Sequence, residues 1–79
     1  KRAEALSPRD QVLFDDLTVW RSETARAFDV PEFVVCNNHT IFEICRQKPK
    51  TITELRLIPG MGDIKVAKFG DAILSIIND

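Results

Sequence analysis

His39 is the only histidine in the chain, so any histidine-based dyad or triad must be built on it. No Gly-x-Ser-x-Gly nucleophile elbow accompanies it. A lone histidine in the first turn of a helix is ordinarily a surface residue. Cys36, His39 and Cys45 could be strung together as three metal ligands. A closed zinc site takes four, in paired spacings such as Cys-x-x-Cys, and that pairing does not occur here. Both cysteines therefore read as structural. The run Gly60-Met61-Gly62-Asp63-Ile64-Lys65 has the look of a nucleotide loop. It lacks the Gly-Lys-Ser/Thr ending of an ATPase loop and the third glycine of a dinucleotide fingerprint. It also follows a predicted helix where both of those motifs follow a strand. These residues predict no self-contained enzyme, no metal and no cofactor.

The more specific pattern is Ile58-Pro59-Gly60-Met61-Gly62 joining two short predicted helices. Two glycines around one apolar residue permit a hairpin with positive φ. They also leave backbone N–H groups open to a ligand at the start of the next helix, where the dipole favours phosphate. Lys65 and Lys68 follow within two turns. A helix–hairpin–helix of this kind holds a nucleic-acid backbone without reading bases. The plainer reading is a tight interhelical turn with Met61 plugged into the core, and the turn alone leaves both open. Charge adds to the first. Residues 46–70 carry six basic and two acidic groups, whereas residues 1–45 carry five basic and eight acidic. Arg46, Lys48 and Lys50 are thus expected to form a flanking rim to a phosphate site at Gly60, Gly62, Lys65 and Lys68. Phe33, two residues past Pro31, is placed to be partly exposed. Trp20 is read as a core residue and Arg21 as the partner of a helix carboxylate.

The elements that must position these residues are helical. Ser7-Pro8-Arg9-Asp10 is a helix start: cap, first-turn proline and an acid at the positive end of the dipole. Leu13, Leu17, Trp20 and Ala27 recur at helical spacing, with Phe14 and Phe28 beside the stripe. That helix should end before Pro31. Val30–Cys36 is β-branched but has no partner strand, so it is predicted as an extended or short helical connector. Asn37-Asn38 caps a second helix that turns Ile41, Ile44 and Cys45 inward and stops before Pro49. Thr51-Ile52-Thr53-Glu54 is a capping box. It opens a helix burying Ile52, Leu55 and Ile58. A further helix starts near Asp63 and is expected to be interrupted at Gly70. The closing stretch 71–77 then buries Ile73, Leu74 and Ile77. The fold class is all-α, a bundle of about five helices with a helix–hairpin–helix-like turn at Pro59–Gly62.

Length and composition agree with one small folded domain. Seventy-nine residues with 44% hydrophobic and 29% charged side chains suit a packed core and argue against disorder. No apolar run approaches the roughly 20 residues a bilayer span needs. The first ten residues are basic but have no apolar segment behind them, so no signal peptide is expected. Two cysteines without a disulfide framework suit a reducing compartment. A net charge of −1 speaks against a strongly basic module while leaving room for a local patch.

One ordered set of residues resembles a known family. Leu13-Phe14-x-x-Leu17-x-x-Trp20-Arg21-x-x-x-Ala25 is similar to the opening helix of the helicase-and-RNase-D C-terminal (HRDC) domains. Val30-Pro31-x-Phe33-Val34-Val35, Asn38-x-Thr40-Ile41, Pro49, Leu55 and Ile58 through Gly62 continue the pattern in order. So do Lys65, Phe69-Gly70, Ile73-Leu74 and Ile77. The resemblance assigns residues 10–79 to the domain and 1–9 to a linker and helix start. It implies a five-helix accessory domain of an ATP-dependent DNA helicase, most like those of the RecQ type. Such a domain tunes binding to single-stranded or branched DNA in repair or recombination, or docks the helicase core or another protein. An RNase D origin would make the ligand RNA. The resemblance further implies that ATP and Mg belong to the parent's catalytic domain. It places the parent in the cytoplasm at the nucleoid if bacterial, and in the nucleus if eukaryotic. Family members often carry Tyr where this chain has Phe33, an aromatic that can contact single-stranded DNA. Phe33 keeps the stacking face and lacks the hydroxyl. Phe69 likewise stands for the usual Tyr and Asn38 for the usual Asp.

Overall fold

The computed structural model describes residues 6–78. Five helices follow one another: α1 Pro8–Phe28, α2 Glu32–Val35, α3 Asn38–Gln47, α4 Ile52–Arg56 and α5 Asp63–Asn78. Among the described residues there is no strand. Most of the linker assigned to residues 1–9 lies outside them, while Ser7, Pro8 and Arg9 form the helix start.

Local chemistry sets the helix ends. The Ser7 hydroxyl accepts from the Asp10 N–H at 3.2 Å, with Pro8 in the first turn. Asp29 closes α1 in the left-handed region (φ 57°), and its N–H reaches the Ala25 and Arg26 carbonyls. Aspartate tolerates that conformation better than most residues. Asn37 caps α3 by accepting from the Thr40 N–H at 2.8 Å. At α4 the capping box is shifted by one residue. Thr51 accepts from the Glu54 N–H at 3.1 Å, but the Glu54 carboxylate takes the Lys50 N–H at 2.7 Å.

The helices enclose Leu17, Val35, Ile41, Ile44, Leu55 and Ile73, all essentially inaccessible to water. Trp20 is half-buried and meets Phe69 edge-on at 5.8 Å; Phe28 meets the same ring at 5.7 Å. Three expectations about the core need correction. On α1 the inward residue is Ala25, and Ala27 is exposed. The buried face is turned toward Arg21, which bonds to the segment after α2 and so brings α2 and α3 onto that side. Gly70 does not interrupt the last helix; α5 runs unbroken for 16 residues. A Cβ at Gly70 would lie 2.9 Å from Ile52 Cδ1 and 3.3 Å from Val66 Cγ1. The glycine therefore lets α4 close onto α5, which offsets the roughly 1 kcal/mol a helical glycine costs. Ile52 accordingly packs over Gly70 from outside and stays partly exposed rather than buried, and Leu74 and Ile77 are half-buried at the α5 end.

Candidate nucleic-acid interface

The turn between α4 and α5 is fixed from below by α3. The Met61 N–H donates to the Ile58 carbonyl at 3.0 Å, and the buried Thr40 hydroxyl donates to the Pro59 carbonyl at 3.0 Å. Gly60 has φ +89°, and its missing side chain makes room for Thr40. Gly62 plays a different part. It is not in the positive-φ region, and a Cβ there would meet nothing within 4 Å. Its carbonyl accepts the Val66 N–H at 2.9 Å, which places it at the head of α5 with no side chain in front of the helix. The first-turn N–H groups of α5 lack intrahelical acceptors by construction. A shallow groove at this helix start is lined by Gly60, Met61, Gly62, Asp63, Ile64 and Lys65. Asp63, 86% exposed on its side chain, also stands at this mouth, and Arg56 of α4 meets it at 3.6 Å. The sequence reading gave neither residue a part in the site. Both were legible as a charge pair flanking the turn.

Lys65 and Lys68 stand one helical turn apart on α5. Among the described residues neither has an ion-pair partner. Both also rim a second cleft, of about 190 Å³, between α2 and α5. Its floor is Val30, Val35 and Phe69, and its walls are the exposed Phe28, Val34 and Ile64. Phe33, 69% exposed, is the neighbour of Val34 on α2. The three apolar walls were missed in the sequence, although each falls outside the periodic buried stripe.

The other predicted cations are placed differently. Arg46 is held by Glu43 at 3.3 Å, one turn away on α3. Lys48 sits at the left-handed end of α3 (φ 47°), ion-paired with Asp10 of α1 and donating to the Cys45 carbonyl at 3.1 Å. That hydrogen bond from Lys48 holds the Asp10 carboxyl below its usual range. Lys48 shares a groove with Ile76 and Ile77, about 18 Å along α5 from the hairpin end. Lys50 is exposed, its backbone N–H tied to Glu54. The structure thus gathers Gly60, Gly62 and Lys65 around one groove and Lys65 and Lys68 on the rim of the other, while Phe33 lines neither. It sets Lys48 at the opposite end of α5 and leaves Arg46 with Glu43.

Cys36 and Cys45 are free and buried, and His39 is exposed. Among the described residues no three metal-binding side chains cluster. Burial raises both thiols, Cys45 to about 11, with the Asp10 charge adding to the effect there. Thiolate is the reactive form. At pH 7.5 the folded chain is therefore expected to resist alkylation, and denaturant should expose two reacting thiols. Mass spectrometry of timed quenches counts the adducts. Rapid double labelling without denaturant would contradict the buried placement.

A family model for the HRDC domain matches residues 10–77. The chain belongs to the HRDC family. Its helices superpose on the solved structure of D. radiodurans RecQ HRDC domain 3 with a TM-score of 0.84. That likeness, at 30% identity, covers 87% of this chain and 91% of that one. The ATP-dependent DNA helicase RecQ of Bacillus subtilis is 37% identical over 76 residues, 96% of this chain. The ATP-dependent DNA helicase UvrD2 of Mycobacterium tuberculosis is 32% identical over 68 residues, 86% of this chain. The HRDC chain spans 13% and 10% of those two proteins.

Proposed function

We propose that this HRDC chain is an accessory module of an ATP-dependent DNA helicase, holding single-stranded or branched DNA weakly while other domains bind ATP and Mg and do the hydrolysis. The observation that carries this is the grouping of the Gly60–Gly62 turn and Lys65 around one groove at the head of α5, with Lys65 and Lys68 on the rim of the adjoining cleft. Phosphate meets the open helix start and two ammonium groups, and a base meets the exposed phenyl ring. The relatives described above are DNA helicases, which supports DNA over RNA. They are bacterial, which supports a parent that works at the nucleoid. No described helix is long and apolar enough to cross a membrane.

Because Arg46 and Lys48 have carboxylate partners, two phosphates is the expected count. Log affinity for a single strand should then fall with log salt at a slope of about −1.4. The dissociation constant should lie on the order of 10⁻⁴ to 10⁻⁶ M. Lys65→Glu with Lys68→Glu should weaken every sequence alike and flatten the slope. Amide-shift titration with a short single strand at low salt is the test. No perturbation from Gly62 to Lys68 at millimolar strand ends the nucleic-acid reading.

One observation favours a second reading, protein docking through an acidic face. Val12 and Val19 are exposed two turns apart on α1, among the exposed carboxylates of Asp15, Asp16 and Glu23. An apolar pair ringed by acids suits a basic partner surface, such as a helicase core.

A further inference from the structure

The cleft between α2 and α5 goes unused by a reading based on phosphate contacts and one exposed ring. Three large apolar side chains, Phe28, Val34 and Ile64, are held open to water around it, and Ile64 is 74% exposed. Water disfavours such a cluster, and a small domain gains nothing in stability by displaying it. Its position supplies the reason. One wall is Val34 of α2, and the other is Ile64 of α5, next to the rim lysines Lys65 and Lys68. A single strand with its phosphates at Lys65 and Lys68, both on the rim, brings its bases within reach of this cleft.

Resting on the accessory nucleic-acid role above, we propose that the α2–α5 cleft is a base-binding subsite that favours thymine. Among the described residues, the only polar side-chain groups lining it are the two rim ammonium groups of Lys65 and Lys68. The apolar floor therefore offers no hydrogen-bond pattern with which to read a base edge. What it can reward is apolar surface, and thymine alone among the four DNA bases carries a methyl group. Its ring lies against Val34 and Ile64 with the methyl toward Phe69, and its carbonyl oxygens remain near the lysines. The discrimination is between thymine and uracil, two bases with the same hydrogen-bonding edge. Burying one methyl corresponds to roughly three- to fourfold in affinity per seated base.

The experiment titrates the chain with oligothymidylate, oligodeoxyuridylate and an abasic strand of equal length and phosphate number. Trp20, the only tryptophan, packs on Phe69 at the cleft floor, so its fluorescence reports occupancy alongside the amide shifts. The expected order is thymine tighter than uracil by roughly three- to fourfold, with the abasic strand weakest. Val34→Thr and Ile64→Ala change exposed side chains, and circular dichroism should show each variant folded. Both should erase the thymine preference and keep the salt slope. Equal affinity for all three strands, still sensitive to charge reversal at Lys65 and Lys68, would overturn the subsite and leave the accessory role standing. Failure of every strand to bind would end both. An acidic peptide with an apolar anchor shifting Val34 and Ile64, where no strand does, would assign the cleft to protein docking.

Discussion

Alanine at Gly60 is expected to cost about 3 kcal/mol and lower the melting temperature by roughly 12–24 °C, whereas alanine at Gly62 should cost less than about 1 kcal/mol. The backbone at Gly60 has φ +89°, where an L side chain is strained by about 1–2 kcal/mol. The new Cβ would also lie 2.0 Å from the Thr40 hydroxyl oxygen and 3.3 Å from Thr40 Cβ. Thr40 is buried and cannot swing away without breaking its bond to the Pro59 carbonyl, leaving a buried polar group unpaired at about 1–3 kcal/mol. Gly62 has neither constraint, and its Cβ would enter open groove. Thermal melts of the two variants separate the roles. Equal losses would mean that the turn does not rest on Thr40. Gly62→Ala should instead weaken strand binding, because its methyl stands before the first N–H groups of α5.

That contrast marks where sequence reasoning stops. Ser7, Asn37 and Thr51 were legible as caps because a cap is made by side chain and backbone within four residues. The helix ends before Pro31 and Pro49 are local for the same reason. Gly70 was misread because propensity sees only the helix it weakens. The opposing benefit comes from Ile52, eighteen positions earlier, which needs the missing Cβ. Ala25 was displaced by Ala27 because a stripe of apolar letters has no place for a buried arginine, and Arg21 sits at its centre. The candidate site divides in the same way. Gly60, Gly62, Lys65 and Lys68 lie within nine residues, so one turn of backbone and one helix face hold them together. Lys48 belongs to the same basic segment, yet the chain carries it to Asp10 on α1. Phe28, Val34 and Ile64 come from three helices and meet only once α2 and α5 have both packed against α1.

Arg21→Ala is expected to cost about 3 kcal/mol, a large share of the about 4–12 kcal/mol a chain of this length commands. Arg21 is 8% exposed, and one guanidinium nitrogen donates both to the Cys36 carbonyl at 3.2 Å and to Asn38 Oδ1 at 2.8 Å. Its Nε faces Glu32 Oε1 at 3.4 Å without forming a hydrogen bond. Glu32 is about half exposed, so solvent screens that ion pair and most of the cost comes from the buried carbonyl and the lost aliphatic stem. The consequence reaches the candidate site. With only four residues, α2 cannot hold itself. Arg21 grips it at Glu32 on one end and at Cys36 on the other, which fixes the segment carrying Phe33 and Val34. Arg21→Ala should therefore speed amide exchange from Val34 to Asn38 beyond the change in global stability. At a temperature where the variant remains folded, it should weaken single-strand binding while the Lys65 and Lys68 salt slope persists. Arg21→Lys keeps the charge but not the forked geometry, and is expected to recover less than half of the lost stability. Urea denaturation read by circular dichroism gives the stability terms, and native-state hydrogen exchange gives the local one. Uniform exchange across all five helices would show that Arg21 supports the whole core equally and does not set the position of α2.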